Sequence, residues 1–133
     1  IILQAVSSNY ILNNYHLKKI ISLSIESEKN NISLSNKLET DILMRFALTT
    51  QISDAIKDAG VKFNTNFTII AIGNKKTLNS LYLELKPLSS PMFLKNNESF
   101  LKKQFKITTK HTSSIISKNP LADILVEKAS VLL

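Results

Sequence analysis

The residues that could carry out chemistry are few and widely separated. The only two histidines, His16 and His111, lack the HxxxH or HExxH spacing of a zinc site, so His16 is expected to pack in the first helix or lie at its surface. Two glycines, Gly60 and Gly73, are too few for a glycine-rich phosphate loop. Acidic residues are dispersed, and no serine has the sequence context of a nucleophile elbow. The sequence therefore predicts a protein that is not an enzyme, with no catalytic residue, metal site or cofactor.

One set of polar residues could bind RNA. The second helix is expected to begin after Ser35, and Lys37, Asp41 and Arg45 recur on it at i, i+4 and i+8, on one exposed face. Two interpretations stay open for this face. It could hold a surface ion pair between Asp41 and Arg45, or it could grip RNA phosphate or bases together with the adjacent Asn36. An exposed position also predicts that Arg45→Glu leaves folding intact.

Composition says more about the partner than about a reaction. The chain carries 17 Lys and Arg against 10 Asp and Glu, a net charge of +7, and Arg45 is its only arginine. This charge favours a polyanion such as nucleic acid, although a lysine-rich soluble surface has the same composition. The absence of cysteine excludes disulfides and makes the cytoplasm the expected compartment. No apolar run approaches the ~20 residues of a membrane span, so no membrane partner is expected.

A helix-rich domain must position these residues. Apolar runs at 1–6 and 67–72 predict two strands, and the second run (FTIIAI) is typical of a strand covered on both faces. A short helix is predicted over 98–105 and a short strand over 106–109. The other predicted helices follow capping residues, namely Asn13, Ser35, Thr49 or Thr50, Asn74 and Asn119. The expected fold class is α/β (α+β), a small mixed sheet flanked by several helices, in a single domain over 1–133.

The last predicted helix is apolar around most of its circumference. Its two apolar stripes are Leu121, Ile124, Leu125, Val131 and Leu132, and Ala122, Val126, Ala129 and Leu133. Such a helix is either the central helix of a core or the cover of a partner protein, and both interpretations stay open.

A distinctive series of motifs lies between residues 32 and 61. Its pieces are Ser35-Asn36, Asp41-Ile42-Leu43-Met44-Arg45, Gln51-Ile52, Ala55-Ile56-Lys57 and Gly60. The series resembles the TPRKB-like family, the small kinase-binding subunit of the KEOPS (EKC) complex. His16-Leu17 and the 126–131 stretch also agree with the family pattern. Ala47-Leu48 departs from it where the family often has Ser-Gly, and Lys37 stands where a serine is common.

The resemblance implies a regulatory function. KEOPS attaches a threonylcarbamoyl group to the adenosine beside the anticodon of ANN-decoding tRNAs. The TPRKB-like subunit binds and stimulates the small kinase/ATPase of the complex, and it captures the 3′ CCA end of the tRNA. The implied partners are that kinase directly, the other KEOPS subunits through it, and tRNA. Carried over to this chain, the resemblance implies that Asn36, Lys37 and Arg45 contact tRNA.

Kinase contacts are expected on the last helix, through the apolar anchors Leu125, Ala129, Leu132 and Leu133. Two other classes of function are weighed against this one. A stand-alone basic RNA-binding protein without a kinase partner would use a diffuse field of lysines: Lys75, Lys76, Lys102, Lys103, Lys106 and Lys110. A small enzyme such as a phosphate-handling hydrolase would need a deep pocket with convergent acids or histidines.

Overall fold

Helices make up most of the chain, and two strands form one small sheet. The computed structural model describes residues 1–90 and 97–132. Its elements are β1 (Ile2–Ser7), α1 (Asn14–Lys29), α2 (Leu38–Ala47), α3 (Ile52–Ala59), β2 (Phe67–Ile72), α4 (Lys75–Leu85), α5 (Glu98–Gln104), α6 (Thr109–Ser113) and α7 (Pro120–Ser130). Short 3₁₀ helices follow β1 at Ser8–Tyr10 and α4 at Lys86–Leu88. The predicted helix-rich α+β class is confirmed. None of the helices in these residues combines the length and apolar character needed to cross a membrane.

Local capping residues set the start of several helices. The Asn13 side chain accepts a hydrogen bond from the His16 backbone N–H at 2.9 Å and opens α1. The Asn74 side chain accepts one from the Thr77 N–H at 2.8 Å and opens α4. α7 begins at Pro120, whose missing N–H costs nothing in a first turn, but the Asn119 side chain predicted as its cap makes no capping hydrogen bond. The three starts agree with the predictions, because each depends only on residues within one turn.

Two predicted caps and one predicted strand are wrong. The Ser35 hydroxyl accepts from the Lys37 N–H at 3.3 Å, one residue before α2 begins, so it forms a turn instead of a cap. The Thr49 hydroxyl bonds the Gln51 N–H at 3.1 Å in the same way before α3. The expected strand over 106–109 instead leads into α6, whose first turn is capped by Thr108. Serine and threonine hydroxyls stabilise turns and caps alike, so their position alone does not distinguish the two.

The sheet is covered on one face only. β1 and β2 pair antiparallel along their whole length, where a mixed sheet was expected. Val6 and Ile70 point toward the helices and are 0% and 6% exposed. Phe67 and Ile69 point to the other side and are 49% and 43% exposed. The prediction that β2 is covered on both faces is therefore wrong, because no element among residues 1–90 and 97–132 covers that side.

The core lies on the inner side of the sheet and surrounds α2. This helix packs against α1, α3, α7 and β1. The members of the main apolar cluster with the lowest exposure come from five elements and an adjoining loop: Val6, Ile11, Ile20, Ile42, Met44, Phe46, Ala55, Ala59 and Ala129. A smaller cluster packs α5 against α7 through Leu101, Ile107, Leu121, Ile124 and Leu125. Each large side chain in these clusters contributes roughly 1.5–3 kcal/mol.

α4 lies at the periphery and has no buried residue. Its leucines at 78, 81 and 85 are only half-buried. Tyr82 is 62% exposed, and the Lys86 ammonium group lies over its ring, 5.9 Å from the ring centroid. The helix predicted after Asn74 is present, but the rest of the fold offers it little surface.

Candidate interaction surfaces

α2 is the central helix of the fold and not a surface helix. Every residue from Asp41 to Ala47 is buried. Asp41 and Arg45 lie on one side of the helix, as their spacing indicates, whereas Lys37 precedes the helix in an extended conformation and is exposed. The side that carries Asp41 and Arg45 faces α1 and α7 instead of solvent, because α2 is packed on several sides at once.

Arg45 is the centre of a buried hydrogen-bond network. Its Nε donates to Asp41 Oδ1 at 2.7 Å, and its Nη2 approaches Asp41 Oδ2 at 3.4 Å. Its Nη1 donates to the Ala129 carbonyl of α7 at 2.7 Å, and its Nη2 also donates to the Ser27 hydroxyl of α1 at 3.1 Å. The second carboxylate oxygen of Asp41 accepts from the Leu34 N–H at 2.7 Å. Both charges are thereby paired and hydrogen-bonded, which is the condition for burying them.

The expected exposed RNA-binding face is corrected for Arg45. Arg45 and Asp41 are 3% and 0% exposed, so the surface ion pair of the sequence interpretation is a core ion pair. Asn36 and Lys37 are exposed at the start of α2, two turns from Arg45. The three residues implied as tRNA contacts therefore do not form one surface. Asn36 and Lys37 remain accessible to RNA, whereas the Arg45 guanidinium is enclosed by α1 and α7.

The expected kinase anchors on α7 lie mainly in the core. Leu125 and Ala129 are 1% and 0% exposed and pack within the chain itself, so they are not accessible to a partner in this conformation. Leu132 is half-buried just after the helix, and Leu133 lies outside the described residues. Of the two open interpretations for α7, this side of the helix matches the core helix. The expectation of apolar anchors at Leu125 and Ala129 is thus corrected by their burial.

His16 is a packed core histidine. Its Nδ1 accepts a hydrogen bond from the Leu12 N–H at 3.0 Å, and its ring stands edge-on to Phe46 at 5.3 Å between centroids. Burial lowers the pKa of His16 to about 4, because the charged imidazolium is poorly solvated there. His16 is therefore neutral at pH 7. His111 is an exposed residue of α6.

A polar cluster around Asp123 joins the start of α7 to α1. The Tyr15 hydroxyl donates to Asp123 Oδ1 at 2.6 Å, and the Ser117 hydroxyl donates to Asp123 Oδ2. The hydrogen bond from Ser117, followed by that from Tyr15, lowers the pKa of Asp123. The same contact with Asp123 raises the pKa of Tyr15. The helix dipole also stabilises a carboxylate in the first turn of a helix, so the Asp123 cluster has a structural explanation.

Two open depressions in the described residues hold one carboxylate each, Glu98 in the first and Glu26 in the second. The first has a volume of about 320 Å³ and lies beside the N-terminus of α7, where Thr112 and Lys118 also line it. The Thr112 hydroxyl is already bonded to the Thr109 carbonyl at 2.9 Å. In the part of the chain that the structure describes, no group of three or more His, Cys, Asp or Glu could hold a metal ion.

The lysines are most concentrated between α5 and α7. Residues 99–122 contain five lysines and no acid, and the five are Lys102, Lys103, Lys106, Lys110 and Lys118. Lys102 is paired with Glu98 at 3.0 Å, and the other four are exposed. This stretch is distant in sequence from Asn36 and Lys37.

Comparison with known proteins adds no assignment. Neither the family models nor the curated proteins searched contain a match to this chain. The features that sequence reasoning missed are the enclosure of Arg45 and the exposed apolar face of the sheet. The apolar character of that face could be recognised from the sequence, since the apolar run of β2 predicted a strand suited to burial on both faces. The structure differs in leaving the outer side of this strand without the predicted cover among the described residues.

Proposed function

We propose that this protein is a non-catalytic regulatory subunit of the KEOPS complex that modifies tRNA with threonylcarbamoyl groups in the cytoplasm. In this proposal it binds and stimulates the small kinase/ATPase of the complex and captures the 3′ CCA end of tRNA. The other KEOPS subunits associate with it through the kinase. The motif series between residues 32 and 61 is the origin of the proposal.

One observation carries the subunit function, namely the large apolar side chains left at the surface of regular elements. On β1 and β2, Leu3, Phe67 and Ile69 are 48%, 49% and 43% exposed on the side of the sheet that faces away from the core. On α4, Leu83 is 69% exposed. Single exposed apolar residues are common, but repeated ones on helices and strands mark surfaces that another protein covers.

The tRNA function is supported by charge. The net charge of +7 and the acid-free lysine stretch at 99–122 supply the sequence-independent attraction to phosphate on which RNA binding depends. Asn36 and Lys37 are exposed donors that could read or neutralise an unpaired CCA end. Arg45 has a different task in this proposal, because its buried network holds α1, α2 and α7 together.

Two measurements test the proposal. The first is co-purification of this chain with the small KEOPS kinase of the same organism, followed by the ATPase rate of the kinase with and without it. The expected result is a stable pair with a raised ATPase rate. Failure of the pair to form at micromolar concentrations removes the kinase function.

The second measurement is a gel shift with full-length tRNA and with tRNA lacking its CCA end. The proposal expects weaker binding of the trimmed tRNA. Equal, salt-sensitive binding of both, combined with no kinase pair, would favour the alternative of a stand-alone basic RNA-binding protein. The lysine stretch at 99–122 is the observation that favours this second candidate.

A further inference from the structure

The outer face of the sheet is apolar along both strands. The outer face is the side of the sheet that carries Leu3, Ala5 and Ser7 on β1 and, opposite them, Ala71, Ile69 and Phe67 on β2. Continuing the register places Ile1 on the same side, against Gly73, and a Cβ on Gly73 would lie 3.2 Å from Ile1 Cγ1. The large side chains of the face are all accessible: Ile1 61%, Leu3 48%, Phe67 49% and Ile69 43% exposed. Ser7 is 4% exposed, so the apolar strip in contact with solvent extends over the rest of the face, from Ile1 and Leu3 to Ile69 and Phe67.

The pattern does not match a sheet with one solvated face. An antiparallel sheet of that kind carries polar residues on the wet face and apolar residues on the inner one. Here both faces are mainly apolar, because Gln4 and Thr68 are the polar residues of the inner side and Ser7 is the one polar residue of the outer side. β1 and β2 contain no charged residue. A strand pair of this kind is suited to burial on both faces, so the outer face requires a cover.

The edges of the sheet are only partly covered, since on β1 the Gln4 side chain accepts a hydrogen bond from the Ala5 N–H at 2.9 Å and donates one to the Glu39 carbonyl at 2.7 Å. In the described residues each strand pairs only with the other, which leaves one row of backbone N–H and C=O groups on each strand without a strand partner. Proteins usually blunt such edges with lysine, proline or a bulge, and neither strand contains a lysine or a proline. A partner that covers the outer face could therefore also hydrogen-bond to an edge.

The charges next to the strip indicate the kind of partner. Lys75 and Lys76 follow Gly73 after one residue, are exposed, and have no acid beside them in the first turn of α4. Lys62 lies in the loop that precedes β2 at the other end. A second copy of this chain would bring two bodies of charge +7 together with lysines at both ends of the strip. Like charges across an interface are unfavourable, so charge complementarity selects a different protein.

We infer that the outer face of the sheet docks a protein whose own surface is an apolar patch bordered by carboxylates. This inference rests on the proposed function and deepens it, since it makes the outer face, and not α7, the place where the kinase subunit binds. The apolar centre supplies affinity by burial, and the terminal lysines supply orientation and association rate.

The absence of cysteine from the chain allows a direct footprint. Ile69→Cys places the one thiol on the outer face, and Ile56→Cys places it on α3, where the parent side chain is similarly exposed (43% and 58%). Maleimide labelling of each variant is followed with and without saturating KEOPS kinase. We expect at least a tenfold slower labelling of Cys at 69 in the complex, and less than a twofold change at 56. Leu3→Cys repeats the measurement on β1 if the first variant does not bind.

The outcomes separate this inference from the proposed function. A complex in which the thiols at 69 and 3 label at their free rate overturns the docking face and leaves the kinase function standing. Protection at 56 alone moves the interface to α3 and overturns it as well. If the unmodified chain forms no complex with the kinase, both the kinase function and this inference are contradicted.

A separate experiment tests the acidic border of the partner. Lys75→Glu combined with Lys76→Glu should lower the association rate at least tenfold at low salt, and an unchanged rate contradicts the acidic border.

Discussion

Arg45 Nη1 donates a hydrogen bond to the backbone carbonyl oxygen of Ala129 at 2.7 Å, across 84 residues of sequence. The carbonyl belongs to the last turn of α7, where helical carbonyls lack an intrahelical partner. A guanidinium there satisfies the carbonyl and adds a positive charge to the negative end of the helix dipole. Because the same side chain binds Asp41 and Ser27, it connects the end of α7 to α2 and α1.

Removing the Arg45 guanidinium should therefore destabilise the fold. In Arg45→Met the Asp41 carboxylate stays buried without its counter-ion, so the free energy of unfolding should fall by about 3–5 kcal/mol. Urea denaturation followed by circular dichroism measures the loss. Arg45→Glu, expected to be tolerated at an exposed position, should be at least as damaging because it buries two carboxylates. Lys128→Met, at an exposed position of α7, is the control and should change stability by less than about 0.5 kcal/mol. A loss for Arg45→Met no larger than this control would show that the network contributes nothing.

Stability should decrease between pH 7 and pH 5 because of His16. Its pKa is about 4 in the folded protein, against 6.5 for an unperturbed histidine. Between these two pH values the unfolded chain binds a proton at His16 that the folded chain does not bind. The stabilising effect is complete above pH 6.5 and is lost as the pH falls toward 4. This contribution amounts to about 2 kcal/mol between pH 7 and pH 5. His16→Asn keeps an acceptor for the Leu12 N–H without the titration, so the difference between the two proteins in urea denaturation should shrink at pH 5. A difference independent of pH would contradict the buried neutral histidine.

Gly60 should not tolerate a side chain. A Cβ at this position would stand 2.4 Å from the backbone oxygen of Ile56. This oxygen accepts a hydrogen bond from the Gly60 N–H at the end of α3, and it cannot move away from the Cβ without losing that bond. Gly60→Ala is expected to lower the free energy of unfolding by about 1–3 kcal/mol. Gly73→Ala is the matched control, since its Cβ meets mainly the movable Ile1 side chain at 3.2 Å. Thermal unfolding of the two variants compares them, and equal midpoints would mean that α3 shifts freely.

The lysine stretch should dominate the salt dependence of tRNA binding. Each lysine–phosphate contact contributes roughly 0.7–0.9 to the slope of log affinity against log salt. Lys106→Gln combined with Lys110→Gln should therefore reduce the slope by about 1.4–1.8. Lys18→Gln combined with Lys29→Gln, on the exposed side of α1, removes the same charge and should change the slope by less than half as much. Equal changes for the two pairs would indicate a diffuse field without a preferred surface.

Elements set by neighbouring residues were predictable. β2 was predicted over 67–72 and is Phe67–Ile72, because a six-residue apolar run bounded by polar residues leaves little alternative. α1 and α4 begin after Asn13 and Asn74 for a similarly local reason, since the cap bonds a backbone N–H three residues away. The predicted Ser35 cap of α2 was wrong, because a serine hydroxyl stabilises a turn as readily as it caps a helix.

The sequence by itself determined which residues share a face, since that follows from the period of a helix or a strand. It placed Asp41 and Arg45 on one side of α2, and Leu3, Phe67 and Ile69 belong together for the same reason. Only the tertiary structure decided whether each face is covered. Arg45 is enclosed because Ala129, far along the chain, packs over it, and the outer face of the sheet is open because no described segment lies across it. Coverage depends on contacts between distant segments, and the local spacing of residue types does not contain them.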